Sequence, residues 1–178
     1  MGPDSGVSPQ LFCARHGLIH CKLIHRTYYT NRRLSKFYPN VADACNRCNQ
    51  SHADFIHMFW SCPKLADFWF KIFDTLHTAY HCVTNPNPLS ALFGISHGST
   101  LTTEAQHSLA FCTLLARRLI LLKWKQALSP SYDRWIKEVL HNLKPERLRF
   151  SLRGSLRRFD KTWNPLLSII DSLDIPEE

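Results

Sequence analysis

Apolar positions recur at helical spacing through most of this chain. Between residues 63 and 81, Leu65, Phe68, Trp69, Ile72, Phe73, Leu76 and Tyr80 fall at i, i+3, i+4, i+7, i+8, i+11 and i+15, the stripe of an amphipathic helix facing a core. Thr102 or Thr103 caps a longer helix, Glu104 to Ala127, which is apolar almost all round and reads as the central buried element. Arg117 and Arg118 interrupt it far short of the roughly twenty apolar residues that a bilayer requires. Ser129-Pro130 opens the next helix, to Leu143, with Trp135, Ile136, Val139, Leu140 and Leu143 inward. Pro145 opens another, whose buried line is Leu148, Leu152, Leu156, Phe159 and Trp163, with Gly154 as a point of division, and Pro165 starts a last short helix, Leu166 to Leu173.

Earlier in the chain the pattern is weaker. Leu18, Ile19, Leu23, Ile24 and Tyr28 suggest a helix within Leu11 to Tyr29, Thr30 can cap a short one from Asn31 to Phe37, and Pro88 to Phe93 forms a brief turn of helix ending at Gly94. No segment alternates with period two for long enough to read as a strand. The expected fold is therefore all-α, an irregular helical assembly. It divides into a disordered leader (1–10), a region of flanking helices around a small metal knuckle (11–84), a linker (85–87) marked by Asn and Pro, a helical C-terminal domain (88–173) and an acidic tail (174–178).

The knuckle lies between the N-terminal and central helices, where the hydrophobic pattern lapses. Cys45, Cys48, His57 and Cys62 form C-x2-C-x8-H-x4-C. Three thiolates and an imidazole satisfy the tetrahedral preference of one structural zinc ion, and the two-residue gap lets Cys45 and Cys48 turn back onto it. Asp54 can cap a short helix from Phe55 to Trp60, and Pro63 suits the first position of the following helix, with Cys62 at its N-cap. A redox role for the Cys45/Cys48 pair would need a thioredoxin-like βαβ context that the pattern lacks. His52 is the alternative imidazole, with His57 preferred on its spacing to Cys62. A second cluster from Cys13, His16, His20, Cys21 and His25 is weighed and set aside, because histidines on a helix are more often solvated or satisfied in a core.

Composition adds direction. Seven Cys with no apolar signal segment in MGPDSGVSPQ argue for a reducing, intracellular setting, cytoplasm and/or nucleus, and against a disulfide framework. Cys13, Cys21, Cys82 and Cys112, outside the proposed ligands, are expected mostly as small buried apolar residues. The formal net charge of +8, which a divalent ion on three thiolates would lower by one, points to a polyanionic partner. Between Asp4 and Asp43 there is no acidic residue, while Arg26, Arg32, Arg33 and Lys36 cluster there; Arg47 lies in the knuckle, and Arg149, Arg153, Arg157 and Lys161 repeat four apart. These nine are the candidate contacts to RNA and/or DNA phosphates, which would give affinity with low sequence specificity. Phe59 and Trp60 are candidate platforms for unpaired bases, with core packing the commoner role for such residues.

The run His57-Met58-Phe59-Trp60-Ser61-Cys62-Pro63, followed by Phe68-Trp69 and preceded by the C-x2-C, resembles the zinc-binding region near the C-terminus of LINE-type non-LTR retrotransposon reverse transcriptases. Ile24-His25-Arg26-Thr27, Leu34 to Pro39, Pro88 to Gly94, Trp135-Ile136-Lys137 and Arg147 to Ser155 with Trp163 extend the likeness over about residues 15 to 173. The resemblance implies that Cys45, Cys48, His57 and Cys62 hold the metal and that the chain grips template RNA or target DNA, alongside the polymerase portion of a parent protein. The loop from Ser51 to Ile56 departs from the family in lacking a Gly-Thr and adding His52. No adjacent pair of Asp occurs, so polymerase chemistry, which needs paired carboxylates on two metal ions, is not expected. The reading is a non-catalytic nucleic-acid-binding zinc module; the alternative is a structural or protein-interaction zinc module that binds no nucleic acid.

Overall fold

A computed structural model describes residues 14–81, 86–96 and 101–173, and all of its regular structure is helical. The leader (1–10), Cys13, Cys82, Asn85 and the tail (174–178) lie outside the described residues. Seven α-helices follow in order: α1 Ala14–Ile24, α2 Asn31–Leu34, α3 Ala66–Tyr80, α4 Pro88–Phe93, α5 Thr103–Leu122, α6 Tyr132–Leu152 and α7 Leu156–Asp171. A π-helical turn, His57–Ser61, and a 3₁₀ turn, Pro63–Leu65, lead into α3. Among the described residues no helix is long and apolar enough to cross a membrane.

Helix α5 is the hub. It packs against α1, α3, α4, α6 and α7, which accounts for its nearly uniform apolarity: Leu109, Phe111, Leu115, Ala116 and Ile120 are all buried. Thr102 caps it, accepting from the Ala105 N–H at 3.2 Å. The partner helices insert Trp69, Trp135 and Trp163, each fully buried; the Trp135 indole donates to the Cys112 carbonyl at 3.1 Å and that of Trp69 to the Phe59 carbonyl at 2.8 Å. One buried cluster runs from Leu23 through Cys45 and Cys62 to Ile170, so the segments on either side of residues 85–87 share a core. Asn87 caps α4 by accepting from the Ser90 N–H at 2.9 Å.

Several expected boundaries shift. Helix α1 is Ala14–Ile24, α2 stops at Leu34, and α5 ends at Leu122 rather than Ala127. Ser131, not Ser129, caps α6, accepting from the Arg134 N–H at 3.3 Å. The larger correction concerns proline. Neither Pro145 nor Pro165 opens a helix; α6 and α7 run straight through them. A proline inside a helix forfeits the hydrogen bond to the carbonyl four residues back. Those carbonyls belong to His141 and Lys161, both exposed residues that water can reach, while packing on either side of each proline holds the helix continuous.

The register through Pro145 overturns the expected buried line. From Ile136 the buried face of α6 continues through Val139, Leu143, Glu146 and Phe150, spaced three and four apart. Leu148 and Leu152 stand about 200° from Phe150 at 100° per residue, and are 60% and 81% exposed; Leu156, opening α7, is 39% exposed. Phe159 and Trp163 are buried as expected. Gly154, at φ +63, does divide the two helices, and the Ser155 N–H closes the turn on the Phe150 carbonyl at 2.9 Å.

Candidate metal centre

The spacing of His57 and Cys62 acquires its meaning from the backbone between them. In an α-helix residues five apart diverge by about 140°. Here the Cys62 N–H donates to the His57 carbonyl at 3.1 Å, the i to i+5 bond of a π-turn, which brings the two side chains back to one side. Asp54 sets the start of this turn, its Oδ1 accepting from the His57 N–H at 2.9 Å. The chain then leaves through Cys62, whose extended backbone (φ −64, ψ 123) redirects it into Pro63.

Opposite lies the tight turn Cys45–Asn46–Arg47–Cys48. The Asn49 N–H donates to the Cys45 carbonyl and the Cys45 N–H to the Gln50 carbonyl, both at 2.8 Å, with Asn49 in the left-handed region at φ 59. These two limbs bring Sγ of Cys45, Cys48 and Cys62 and an imidazole nitrogen of His57 within 4.8 Å of one another. The Cys45 and Cys62 sulfurs are 3.9 Å apart, and Cys48 Sγ is 3.2 Å from His57 Nε2. A tetrahedral ion with bonds of about 2.0–2.3 Å separates its ligand atoms by about 3.3–3.8 Å. The donor set and its spacing therefore suit a metal ion. Cys45 and Cys62 are buried, Cys48 and His57 half-buried, so one edge of the group faces solvent.

His52 is not brought to the group. It is turned outward at φ 60, with its Nδ1 3.0 Å from Asp43 Oδ2 and its side chain 73% exposed. Of the second cluster, His16 is buried and Cys21 exposed, which corrects Cys21 as a core residue; Cys112 is buried, and burial pushes its thiol up to about 12. Among the described residues the only group of His, Cys, Asp or Glu with metal-ligand geometry is the Cys45/Cys48/His57/Cys62 group.

The electrostatics of the metal-free group are divided. Burial raises the Cys45 thiol, but backbone N–H groups of Cys48 and Arg47 and the neighbouring thiols outweigh it and the net shift is downward. Burial, reinforced by Cys45, pushes Cys62 up to about 12. His57 is lowered by burial and then by the Arg47 charge, which favours the neutral imidazole that a metal requires.

No protein-family model matches the chain, and no curated protein matches it.

The candidate nucleic-acid contacts fall into different settings. Arg26, Arg32, Arg33 and Lys36 are exposed along the segment joining α1 to the knuckle. Arg32 lies 3.5 Å from Asp54, and Arg33 donates to the Arg26 carbonyl at 3.2 Å with its guanidinium 4.9 Å from the Tyr29 ring centroid. Arg153 and Arg157 are exposed, and Lys161 pairs with Glu104 at 2.7 Å. Arg149 is partly committed, paired with the buried Glu146 and lying over the Phe150 ring. Arg47 is the correction: it is 5% exposed and donates inward to the Met58 carbonyl, so it offers no cation to a phosphate at the surface. Phe59 is fully buried and Trp60 packs on Trp69 and Phe73, which leaves Phe59 no face for a base.

Three surface aromatics were missed by sequence reasoning: Tyr29, Phe37 and Tyr38, which are 58%, 66% and 58% exposed. Their signal lies in the interleaving of cations and rings from Arg26 to Tyr38. The hydrophobic pattern concealed it by suggesting that aromatics point inward.

Proposed function

We propose that this chain is a non-catalytic module that binds single-stranded RNA or DNA through the Arg26 to Tyr38 segment, held in place by one structural zinc ion. The observation that carries the reading is a row of exposed cations (Arg26, Arg32, Arg33, Lys36) alternating with exposed rings (Tyr29, Phe37, Tyr38). Cations take the phosphates and rings stack on bases, a combination that binds unpaired strands with little sequence preference. The row is tied to the metal limb: Asn31 donates to the Ala44 carbonyl at 2.6 Å and to Asn46 Oδ1 at 2.9 Å. Cys45, Cys48, His57 and Cys62 would hold the ion, and four protein donors close a tetrahedral shell, leaving no position for a reacting water. The ion would supply structural cross-linking only. The LINE-type resemblance of the knuckle is in keeping with this reading.

Fluorescence anisotropy with a labelled single-stranded RNA and a DNA duplex, at low and moderate salt, tests it. The expected result is binding whose logarithm falls with that of salt, with Arg32→Ala/Arg33→Ala lowering the slope by about 2 and Phe37→Ala weakening the single strand more than the duplex. Absence of binding at low salt, or a salt slope unchanged in the double variant, would overturn it. Leu148, Leu152 and Leu156, left exposed at the α6–α7 corner, favour a second reading, a protein-docking module. A chain that binds no nucleic acid would support that reading instead.

A further inference from the structure

Arg47 sits between Cys45 and Cys48 in a tight surface turn, where a long cation would ordinarily reach for water. Its side chain turns inward instead. It is 5% exposed, its Nη2 donates to the Met58 carbonyl, and its Nε and Nη1 are buried without hydrogen-bond partners. Among the described residues no carboxylate pairs with it. A guanidinium stays charged when buried, and a buried charge is stabilised where an opposite charge meets it. Among the described residues the other buried arginine, Arg117, donates to the Leu92 carbonyl and lies away from either ligand turn.

The negative charge that the metal group itself would supply is that of its thiolates, and Arg47 stands between two of the cysteines that carry them. Met58 lies inside the π-turn, between His57 and Cys62, just as Arg47 lies between Cys45 and Cys48, so one side chain ties the two ligand limbs together. A divalent ion on three thiolates and a neutral imidazole carries a net charge of minus one; with two thiolates and two imidazoles it would carry none.

Resting on the metal centre proposed above, we infer that Arg47 is the internal counter-charge of that centre: it neutralises the anionic three-thiolate complex and makes three-thiolate ligation the favoured form. Arg47 is a positioning residue, acting on the ion through its ligands.

Zinc affinity by chelator competition, on the full chain, separates charge from hydrogen bonding. Arg47→Gln keeps a donor and removes the charge; Arg47→Lys keeps the charge. Loss of an outer partner of this kind typically weakens metal binding about 10–100-fold, so Arg47→Gln is expected in that range and Arg47→Lys within about threefold of the parent. In a Cys48→His background, where the centre is neutral, adding Arg47→Gln should cost nothing. Equal affinity of Arg47→Gln and the parent overturns the inference, as does an equal loss in the Cys48→His background, since both would leave only a structural role for the side chain. Far-ultraviolet circular dichroism of each loaded variant shows that it is folded. Zinc binding absent from the parent chain is a separate result, which overturns the metal centre together with this inference.

Discussion

The Nε2 atom of His57 stands 3.2 Å from the sulfur of Cys48, whereas the ring of His52 is turned outward onto Asp43. Only one of these two imidazoles can share an ion with the three cysteines. His57→Ala is therefore expected to weaken zinc binding by more than about 100-fold, beyond what loss of an outer partner costs, whereas His52→Ala leaves it unchanged. Chelator competition on the two variants checks this. A loss in His52→Ala equal to that in His57→Ala would contradict the assignment.

Gly94 ends α4 in the left-handed region at φ +67, and a Cβ placed there would stand 2.6 Å from Cα of Ala110 in α5. The clash is with backbone, which has no rotamer to change. Conformational strain alone costs roughly 1–2 kcal/mol in this region for a residue with a Cβ. Gly94→Ala should then destabilise the chain by about 3 kcal/mol or more in urea unfolding, since α4 and α5 must separate as well. Gly154 also has a positive φ but nothing within 4 Å of its missing Cβ, so Gly154→Ala should cost only the conformational part.

The basic residues at the α6–α7 corner are expected to divide by task. Arg149 faces the buried Glu146, whose carboxyl burial raises and Arg149 pulls back down. Removing that cation leaves the carboxyl only the weaker influence of Arg153, and Arg149→Ala should lose about 2–3 kcal/mol of stability, less than the roughly 3–5 kcal/mol of a fully buried broken pair because the arginine is partly solvated. Arg153 and Arg157 are exposed. Their alanine variants should keep the parent melting temperature, and any contribution to nucleic-acid binding should show as a loss of about one in the salt slope for each. Calorimetry and anisotropy on the same samples separate the two effects.

Part of this fold was legible in the sequence. Helix α3, the α4 turn ending at Gly94 and the gathering of Cys45, Cys48, His57 and Cys62 were readable, because each rests on local chemistry: a 3.6-residue stripe, a left-handed glycine, a fixed residue spacing. Pro145 and Pro165 misled, since a proline's effect depends on whether the carbonyl it abandons can reach water, and that is a tertiary fact. The exposed Leu148 and Leu152 followed from the same error, a register restarted where the helix in fact continued. Arg47 was read as a surface cation because nothing in a four-residue turn says which way a side chain folds. Tyr29, Phe37 and Tyr38 were passed over since apolar area alone does not say which aromatics the core has room for.

Acid should weaken this fold through histidines away from the knuckle as well as through the ligands. His16 is buried on α1 and its imidazole is held below its ordinary value of 6.5 by burial and then by Arg118; His20 is lowered by burial and then by Arg117. The unfolded chain therefore binds protons that the folded chain refuses. Their contribution is intact above the unfolded value and is lost as pH falls from there toward the folded one. His16→Gln should flatten the fall in melting temperature between about pH 7.5 and pH 5.5, the span in which histidine titrates. An unchanged difference between parent and variant across that span would argue against it.

Trp124 stands just beyond the end of α5. Its indole donates to the Tyr29 carbonyl at 3.1 Å, its own carbonyl lies 3.5 Å from the Asn46 amide, and its ring meets Phe59 at 5.1 Å and Tyr28 at 5.9 Å. One fluorophore thus touches the Arg26 to Tyr38 segment, the cysteine turn and the π-turn at once. The consequence is optical: when the two limbs separate, this indole's share of the emission of the chain's five tryptophans should shift to the red, and a Trp124→Phe variant should lack that share.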